Sequence, residues 1–415
     1  MDFSETEKAL LNHLQTSLGP FEKFVAKMDI EEVLPLVPDR AYVIDKISEL
    51  LNNPQNNVII PIIGEVGMGK THLCWQIKKS LDIHAIPVFL EIPEEAKFFY
   101  YNLYTELVEN LGAERLRDLS IQISDLWGAQ EKKYGLFRSS NVDRVLSRAK
   151  ESKLFKMSEH PSELEDVMRC IITHAIDPDK SHSAERWLLG EVMDPDELYY
   201  LGLSTNLNAP FVAMELLQLL LKFLPEGLLL IIDDLDESWS RYNNPYHIED
   251  DWTMIPFTST ISNNQGLESS TSEIKNGEKQ HLVKIPDFFQ DLYQLFATFP
   301  NIHLVFTIKP DNEGEIMQYF EPLIEETEAI NSIILPAFSE NDLKNFYNSA
   351  IQIYCKLKGL NYNKITPLFP WNSEFFHLIY NKTSGNPRKI IRKLQDAFDY
   401  YLYDRKPVDK IVNLI

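Results

Sequence analysis

The chain has 415 residues, 44% of them hydrophobic and 25% charged, an ordinary globular composition with length for a buried core and two or three domains. A formal net charge of −22 repels phosphate backbones over the surface as a whole, so any contact with nucleic acid must be local. Cys74, Cys170 and Cys355 lie far apart, with no CxxC pair and no histidine at ligand spacing; this points to a reducing, cytoplasmic setting and argues against a disulfide frame or a zinc site.

The opening "MDFSETEKALLNHL" is acidic and amphipathic, unlike a signal peptide, and residues 1–36 read as one or two N-terminal helices. Pro38-Asp39 opens a helix over 37–53 with Val43, Ile44, Ile47, Leu50 and Leu51 on one face. "VIIPII" (58–63) is a short buried strand, followed by the glycine loop, a helix, and a second strand at 86–92. From 95 to 223 no strand pattern occurs; leucine and aromatic spacing predicts a block of helices ending in "FVAMELLQLLLKFL". The most apolar stretch, "LLQLLLKFLPEGLLLII", is interrupted by Lys222, Pro225, Glu226 and Gly227 and falls short of a membrane span. Strands follow at 228–234, 302–308 and 331–337, then only helical patterns, the first with Ser339 as N-cap. The polar segment 260–280 reads as a loop.

Strands alternating with helices predict an α/β fold, a parallel sheet flanked by helices. The expected division is N-terminal helices (1–36), a core (37–95 and 226–337), a helical insert (96–225) and a C-terminal helical lid (338–415).

Residues 64–71, "GEVGMGKT", match GxxxxGK[ST] between an apolar strand and a helix, the context that separates a phosphate-binding loop from a chance glycine turn. Gly64, Gly67 and Gly69 allow the backbone at Glu65, Val66 and Met68 to curl around the β-phosphate of ATP. Lys70 would bridge the β- and γ-phosphates, and the Thr71 hydroxyl would ligate Mg²⁺. His72 follows as an exposed helix residue rather than a catalyst. In "LLLIIDDLDE", Asp233 at the strand end supplies the second Mg²⁺ acid. Asp234 stands where a hydrolytic enzyme of this type often has Glu, and Asp236 and Glu237 could substitute; hydrolysis is left open while binding is not. The order of strands suits the additional-strand class of P-loop ATPases. There Thr307, in "LVFTIKPD", reaches the γ-phosphate and positions water, with Lys309 two residues on.

The series "VPDR…GEVGMGKT…IIDDLDE…FTIKP…LPAFSENDL…TSGNPRKIIRKL" resembles the AAA+ ATPases of the origin-recognition and initiator clade and their STAND relatives, over roughly residues 37–95 and 226–400. The resemblance implies an adenine pocket shaped by Val37, Pro38 and Arg40. Resemblance to initiators makes Arg388 a sensor arginine reaching the γ-phosphate from the lid; resemblance to STAND proteins makes Gly385 and Pro387 an adenine-contacting turn. A plain helix start with Pro near its first turn is the ordinary alternative. Within the insert, "HPSELEDVMRCIITHAIDPDKSHSAERWLLGE" loosely resembles ATP-binding proteins of prokaryotic anti-phage systems, including BREX-associated ones; Trp187, Leu188 and Leu189 are equally well read as helix-bundle core. Two departures stand out. Too few residues follow the lid motif for the winged-helix domain that initiators usually carry, and Arg241 is the sole arginine between Asp234 and Thr307 that could act as a finger in trans.

Three functions compete. One is an ATPase that drives assembly or remodelling of a DNA-associated complex with other protein subunits. The second is a slowly hydrolysing or non-hydrolysing ATP-bound switch on a partner protein. The third, a small-molecule kinase, fits the separate helical lid poorly. For DNA the local basic segments are 131–156, with eight Lys/Arg against three acids, and 386–393; a solvated helix face is the ordinary explanation of the first.

Overall fold

The computed structural model describes residues 3–16, 21, 38–52, 57–80, 85–90, 96–129, 141–236, 252–254, 284–299, 301–324, 332–406, 408–411 and 414. Its centre is a five-stranded sheet of β1 (Ile59–Ile63), β2 (Ile86–Phe89), β3 (Leu228–Ile232), β6 (Ile302–Ile308) and β7 (Ile333–Ile334), in spatial order β2-β3-β6-β1-β7 and parallel throughout. Between β3 and β6 in the chain, β4 (Trp252–Met254) and β5 (Lys284–Pro286) pair as a separate antiparallel ribbon, which the alternating pattern does not reveal. The four longer sheet strands are nearly unbroken apolar runs, as expected where both faces of a sheet are covered. The insertion of β6 between β1 and β3 is the additional strand expected from the sequence, and the α/β P-loop architecture is as read there.

Successive strand residues supply opposite faces. Ile59, Ile63, Val88, Leu228, Leu230, Ile232, Leu304, Phe306 and Ile308 belong to one core cluster, and Ile60, Ile62, Phe89, Leu229, Ile231 and Val305 to another. The second face is covered by α2 (Pro38–Leu51) and α3 (Lys70–Ser80). The first is covered by the insert, which comprises α4 (Phe99–Leu126), α5 (Val142–Lys150), α6 (Lys153–Met157), α7 (Pro161–Ile176), α8 (Ser181–Leu188), α9 (Pro195–Leu201) and α10 (Pro210–Leu221), together with α11 (Asp287–Thr298) and α12 (Glu313–Ile324). The insert therefore continues the core of the sheet. Trp187 and Leu188 are fully buried in it, Trp187 Nε1 donating to Thr205 O at 3.2 Å, as the bundle-core reading has it, whereas Leu189, read with them, is exposed.

The lid consists of α13 (Glu340–Leu357), α14 (Ser373–Thr383), α15 (Pro387–Leu402) and α16 (Val408–Ile411). Ser339 caps α13 as expected, its Oγ accepting from Asp342 N at 3.1 Å while Asp342 Oδ2 accepts from Ser339 N at 2.7 Å. The N-terminal helix α1 (Glu5–Thr16), read from the sequence as part of a separate unit, packs into this lid instead. Leu10, Leu14 and Phe21 are buried in one cluster with Phe346, Tyr347 and Phe398. Glu7 Oε1 also accepts from Thr366 N at 3.1 Å. An amphipathic 12-residue helix cannot bury its apolar face alone, and the lid supplies the surface.

No helix among the described residues is long and apolar enough to cross a membrane.

Candidate functional site

The site forms at the carboxyl ends of β1, β3 and β6. Register accounts for much of it: Ile63 lies beside Ile308, so Gly64 emerges next to β6 and donates to Ile308 O at 3.1 Å. Ile232 lies beside Phe306, so Asp233 and Thr307, one residue further on, become neighbours. Gly67 and Gly69 both have φ of 85°, a left-handed backbone that residues with a Cβ rarely adopt, and Met68 N donates to Glu65 O at 3.2 Å to close the turn. Val66 and Glu65 are exposed on the rim. Lys70 starts α3, is buried, and places its Nζ 2.9 Å from Gly64 O and 3.8 Å from Asp234 Oδ1. Thr71 and His72 follow in the first turn, both partly buried. His72 is thus less exposed than its sequence position suggests.

The acids are held by strand β6. Thr307, fully buried, donates its hydroxyl to Asp233 Oδ1 at 2.6 Å and accepts from Asp234 N at 2.7 Å. One threonine therefore orients both residues of the acidic pair. Asp234 has φ of 48°, a conformation Asp tolerates better than most residues, and its carboxylate is half exposed at the mouth. Asp236 occupies a different place: it is buried, accepts from Asn312 Nδ2 at 2.9 Å, and pairs with Lys309 Nζ at 3.3 Å. It anchors the segment after β3 and is not a spare catalytic acid at the mouth. Beneath, burial pushes the Cys74 thiol well above its usual range, with Asp233 and Asp234 adding to the effect, so this cysteine is inert. Cys170 and Cys355 are likewise free and buried.

The lid lies directly on the loop. Asn386 caps α15, its Oδ1 accepting from Lys389 N at 3.1 Å, and its Nδ2 reaches across to Val66 O at 2.9 Å. Arg388 N donates to Gly67 O at 3.1 Å. A Cβ at Gly67 would lie 2.8 Å from both Arg388 Cβ and Asn386 Oδ1, so the contact needs glycine. The Arg388 side chain is exposed, and Pro387 is buried. Gly385 (φ of 73°) is pressed against the segment leading into the lid: a Cβ there would lie 2.1 Å from Phe338 O, and Phe338 N donates to Gly385 O at 2.9 Å. Arg40, buried, donates from Nη1 to Met68 O and from Nη2 to Pro336 O at 2.7 Å. Val37, the side chain of Pro38, Glu237, Arg241, residues 131–140 and the segment 260–280 lie outside the described residues.

The sequence reading missed Asn386 and the Asp236–Lys309–Asn312 group. Asn-Pro before an amphipathic run is legible as a helix start; that its amide then reaches a loop 320 residues away in the chain is not.

Of the basic segments, α5 exposes Arg144, while Lys150 pairs with Glu165 at 2.5 Å and Asp143 takes Arg169 from α7 at 2.9 Å. On α15, Arg388, Lys389 and Arg392 are exposed, and Lys393 pairs with Asp396 at 3.6 Å.

Sheet order, glycine loop and strand-end acids together define an α/β architecture, a parallel sheet flanked by helices with a strand inserted between β1 and β3 and a helical lid over the glycine loop. No protein-family model matches the chain, and no curated protein sequence does. Among solved structures it is similar to the Aeropyrum pernix ORC2 protein, in ADPNP–ADP complexes, at a TM-score of 0.41 and 12% identity over 93% of this chain and 69% of that one. It is also similar to the Aeropyrum pernix ORC1 protein, in complex with DNA, at a TM-score of 0.36 and 10% identity over 91% of this chain. The chain spans 65% of the length of that ORC1 protein. Likeness this distant carries no argument about function.

Proposed function

We propose that the chain is an ATP- and Mg²⁺-dependent P-loop ATPase of slow turnover, in which the nucleotide sets the position of the lid and the lid acts on other protein subunits of a DNA-associated complex. The observation that carries this reading is the docking of α15 on the phosphate-binding loop through Asn386 and Arg388. Any rearrangement of residues 66–69 around phosphates is then felt by the lid.

The residues present fit the group. Gly67 and Gly69 provide a cradle that only residues free of a Cβ form readily, Lys70 stands beside it, and Asp233 and Asp234 stand opposite. Lys70 and the loop amides would hold the phosphates, with Thr71 and Asp233 on the metal. Among the described residues no group of three or more His, Cys, Asp or Glu could hold a metal ion alone, so the cation would depend on phosphate oxygens. When bound, Mg²⁺ neutralises charge on the phosphates. Asp234 is the candidate to orient water, held by Thr307; Arg388 is the candidate to report the γ-phosphate to the lid.

Slow turnover is favoured by the reach of Asp234, which is short by a methylene and stands beside Lys70. The alternative, a non-hydrolysing switch, differs only in the chemical step. DNA contact rests on Arg388, Lys389 and Arg392 and on the described part of the segment 131–156, where part of the charge is already paired. No structural observation supports the anti-phage likeness of the insert, whose Trp187 and Leu188 are core.

The test is ATP binding and turnover by the purified chain, with and without double-stranded DNA, beside Asp233→Ala/Asp234→Ala. Lys70→Ala is expected to abolish ATP binding and Arg388→Ala to weaken preference for ATP over ADP. Equal affinities of the unmodified chain for ATP and ADP would overturn the lid-sensing reading; tight binding without turnover in either condition would select the switch.

A further inference from the structure

We infer that Arg40 is a positioning residue that pins the phosphate-binding loop to the hinge of the lid, so that the two move together. The side chain stands where elementary electrostatics disfavour it. Arg40 lies in the first turn of α2, where the helix dipole repels a cation, and is only 6% exposed. Burial also lowers its pKa to about 10, with Asp342 opposing that shift. A long, flexible cation would ordinarily turn its charged head to water. Arg40 stays because its planar fork meets two acceptors held apart by the fold: Met68 O, between Gly67 and Gly69, and Pro336 O, in the segment joining β7 to α13. Its Cζ also lies 5.0 Å from the centroid of the Phe338 ring, two residues further into that segment.

These contacts close a circuit. Met68 is tied through Arg40 to Pro336 and Phe338; Phe338 N is bonded to Gly385 O; three residues on, Arg388 N returns to Gly67 O, one residue from Met68. The loop is therefore gripped on two sides, by Arg40 from the core helix and by the start of α15 from the lid. A shift of the Met68 peptide moves one acceptor of a rigid fork whose other acceptor is the lid hinge. Lysine cannot perform this role, since an ammonium is a point charge without the fork's fixed separation of donors.

The coupling itself does not depend on a nucleotide; its use for sensing ATP rests on the function proposed above. The experiment is hydrogen exchange, read by mass spectrometry, on the full chain without nucleotide, for the unmodified protein, Arg40→Lys and Arg40→Ala. Both variants are expected to exchange about tenfold faster at residues 66–70 and 385–390, the loss of one charge-assisted hydrogen bond, while 228–232 in β3 and 343–355 in α13 keep their protection. Unchanged exchange at 66–70 and 385–390 in both variants would overturn the pin. So would acceleration spread equally through β3 and α13 in Arg40→Lys, which would make Arg40 a general stability residue. Repeating the measurement with ATP and with ADP tests the sensing: protection of 385–390 by ATP in the unmodified chain should be lost in Arg40→Lys. If the unmodified chain binds neither nucleotide, the proposed function falls, and the nucleotide-free exchange still decides the pin.

Discussion

At the scale of single residues, polar groups at the ends of β3 and β6 organise the candidate site. Thr307 uses its hydroxyl twice, as donor to Asp233 and as acceptor from Asp234 N, and so holds the acidic pair in one arrangement. Thr307→Val keeps the shape and removes both bonds. We expect ATP turnover to fall by roughly 10- to 100-fold with ATP affinity changed little, measured as kcat against Kd. Asp236 is buried and takes partly exposed Lys309 and Asn312 as partners, so removing either leaves a buried carboxylate less compensated. His303, buried in β6, has its pKa lowered to about 4 from an ordinary 6.5 because burial penalises the imidazolium. As pH falls, the unfolded chain takes up this proton first, so the native state loses stability between about pH 6.5 and 4 and holds it fully above that window. The swing is at most about 3 kcal/mol. His303→Leu should flatten that acid loss, seen as a smaller drop in the urea midpoint between pH 7 and 5 than in the unmodified chain. An equal drop in both would exclude His303 as its source.

At the scale of elements, backbone constraints explain why the edges of the sheet look as they do. β7 pairs with β1 only at Ile62 and Ile63, far shorter than the apolar stretch 331–337 suggests. Ile63 O accepts from Leu335 N on that side, and the same edge two residues earlier is Pro61, which has no N–H to offer. Pro61 thus removes one ladder donor from that edge. The start of α15 is equally constrained. Ser384 and Gly385 both have positive φ, at 51° and 73°, and the Gly385 backbone packs on Phe338. Gly385→Ala would force a Cβ into Phe338 O. We expect it to cost about 2 kcal/mol or more, and to undock α15 before it unfolds the sheet. Thermal unfolding together with exchange at 385–390 would show this; an unchanged melting temperature would count against the packing described.

At the scale of the whole molecule, the chain runs through the lid twice. It begins there with α1, crosses to α2, builds the sheet and insert, and returns through 335–339. The lid is thus joined to the core by two connections, and Arg40, near the start of α2, touches the second. Leu10, fully buried in the lid cluster, is a sensitive probe of this arrangement. Leu10→Ala should destabilise the lid by roughly 2–5 kcal/mol, read as faster exchange in α13 and α15 rather than in β3. A loss confined to α1 would mean that the helix is a detachable extension. The −22 charge also bears on the molecule as a whole: contact with DNA through α15 should be weak and steeply salt-dependent.

Legible in the sequence were the glycine-loop motif, the acids after β3 and the capped start of α13, each carried by residues within about ten positions of one another, and the parallel α/β class, carried by the alternation of strand and helix patterns along the chain. Hydrophobic periodicity found the five strands of the main sheet and most of the helices but not β4 and β5, and it made several strands too long, since strand length is set by what lies alongside. It could not show that α1 belongs to the lid: an amphipathic stripe states that a face must be covered and not by what. Nor could it show that Asn386 reaches Val66, or that Asp236 is an anchor while Asp234 faces the mouth, since alternate residues turn to opposite sides only once the segment after β3 takes its path. Arg40 is the clearest case. Its charge is legible at position 40, but its two acceptors, Met68 and Pro336, are 28 and 296 residues away, and only the packing of α2 against the loop and the hinge brings them to one guanidinium.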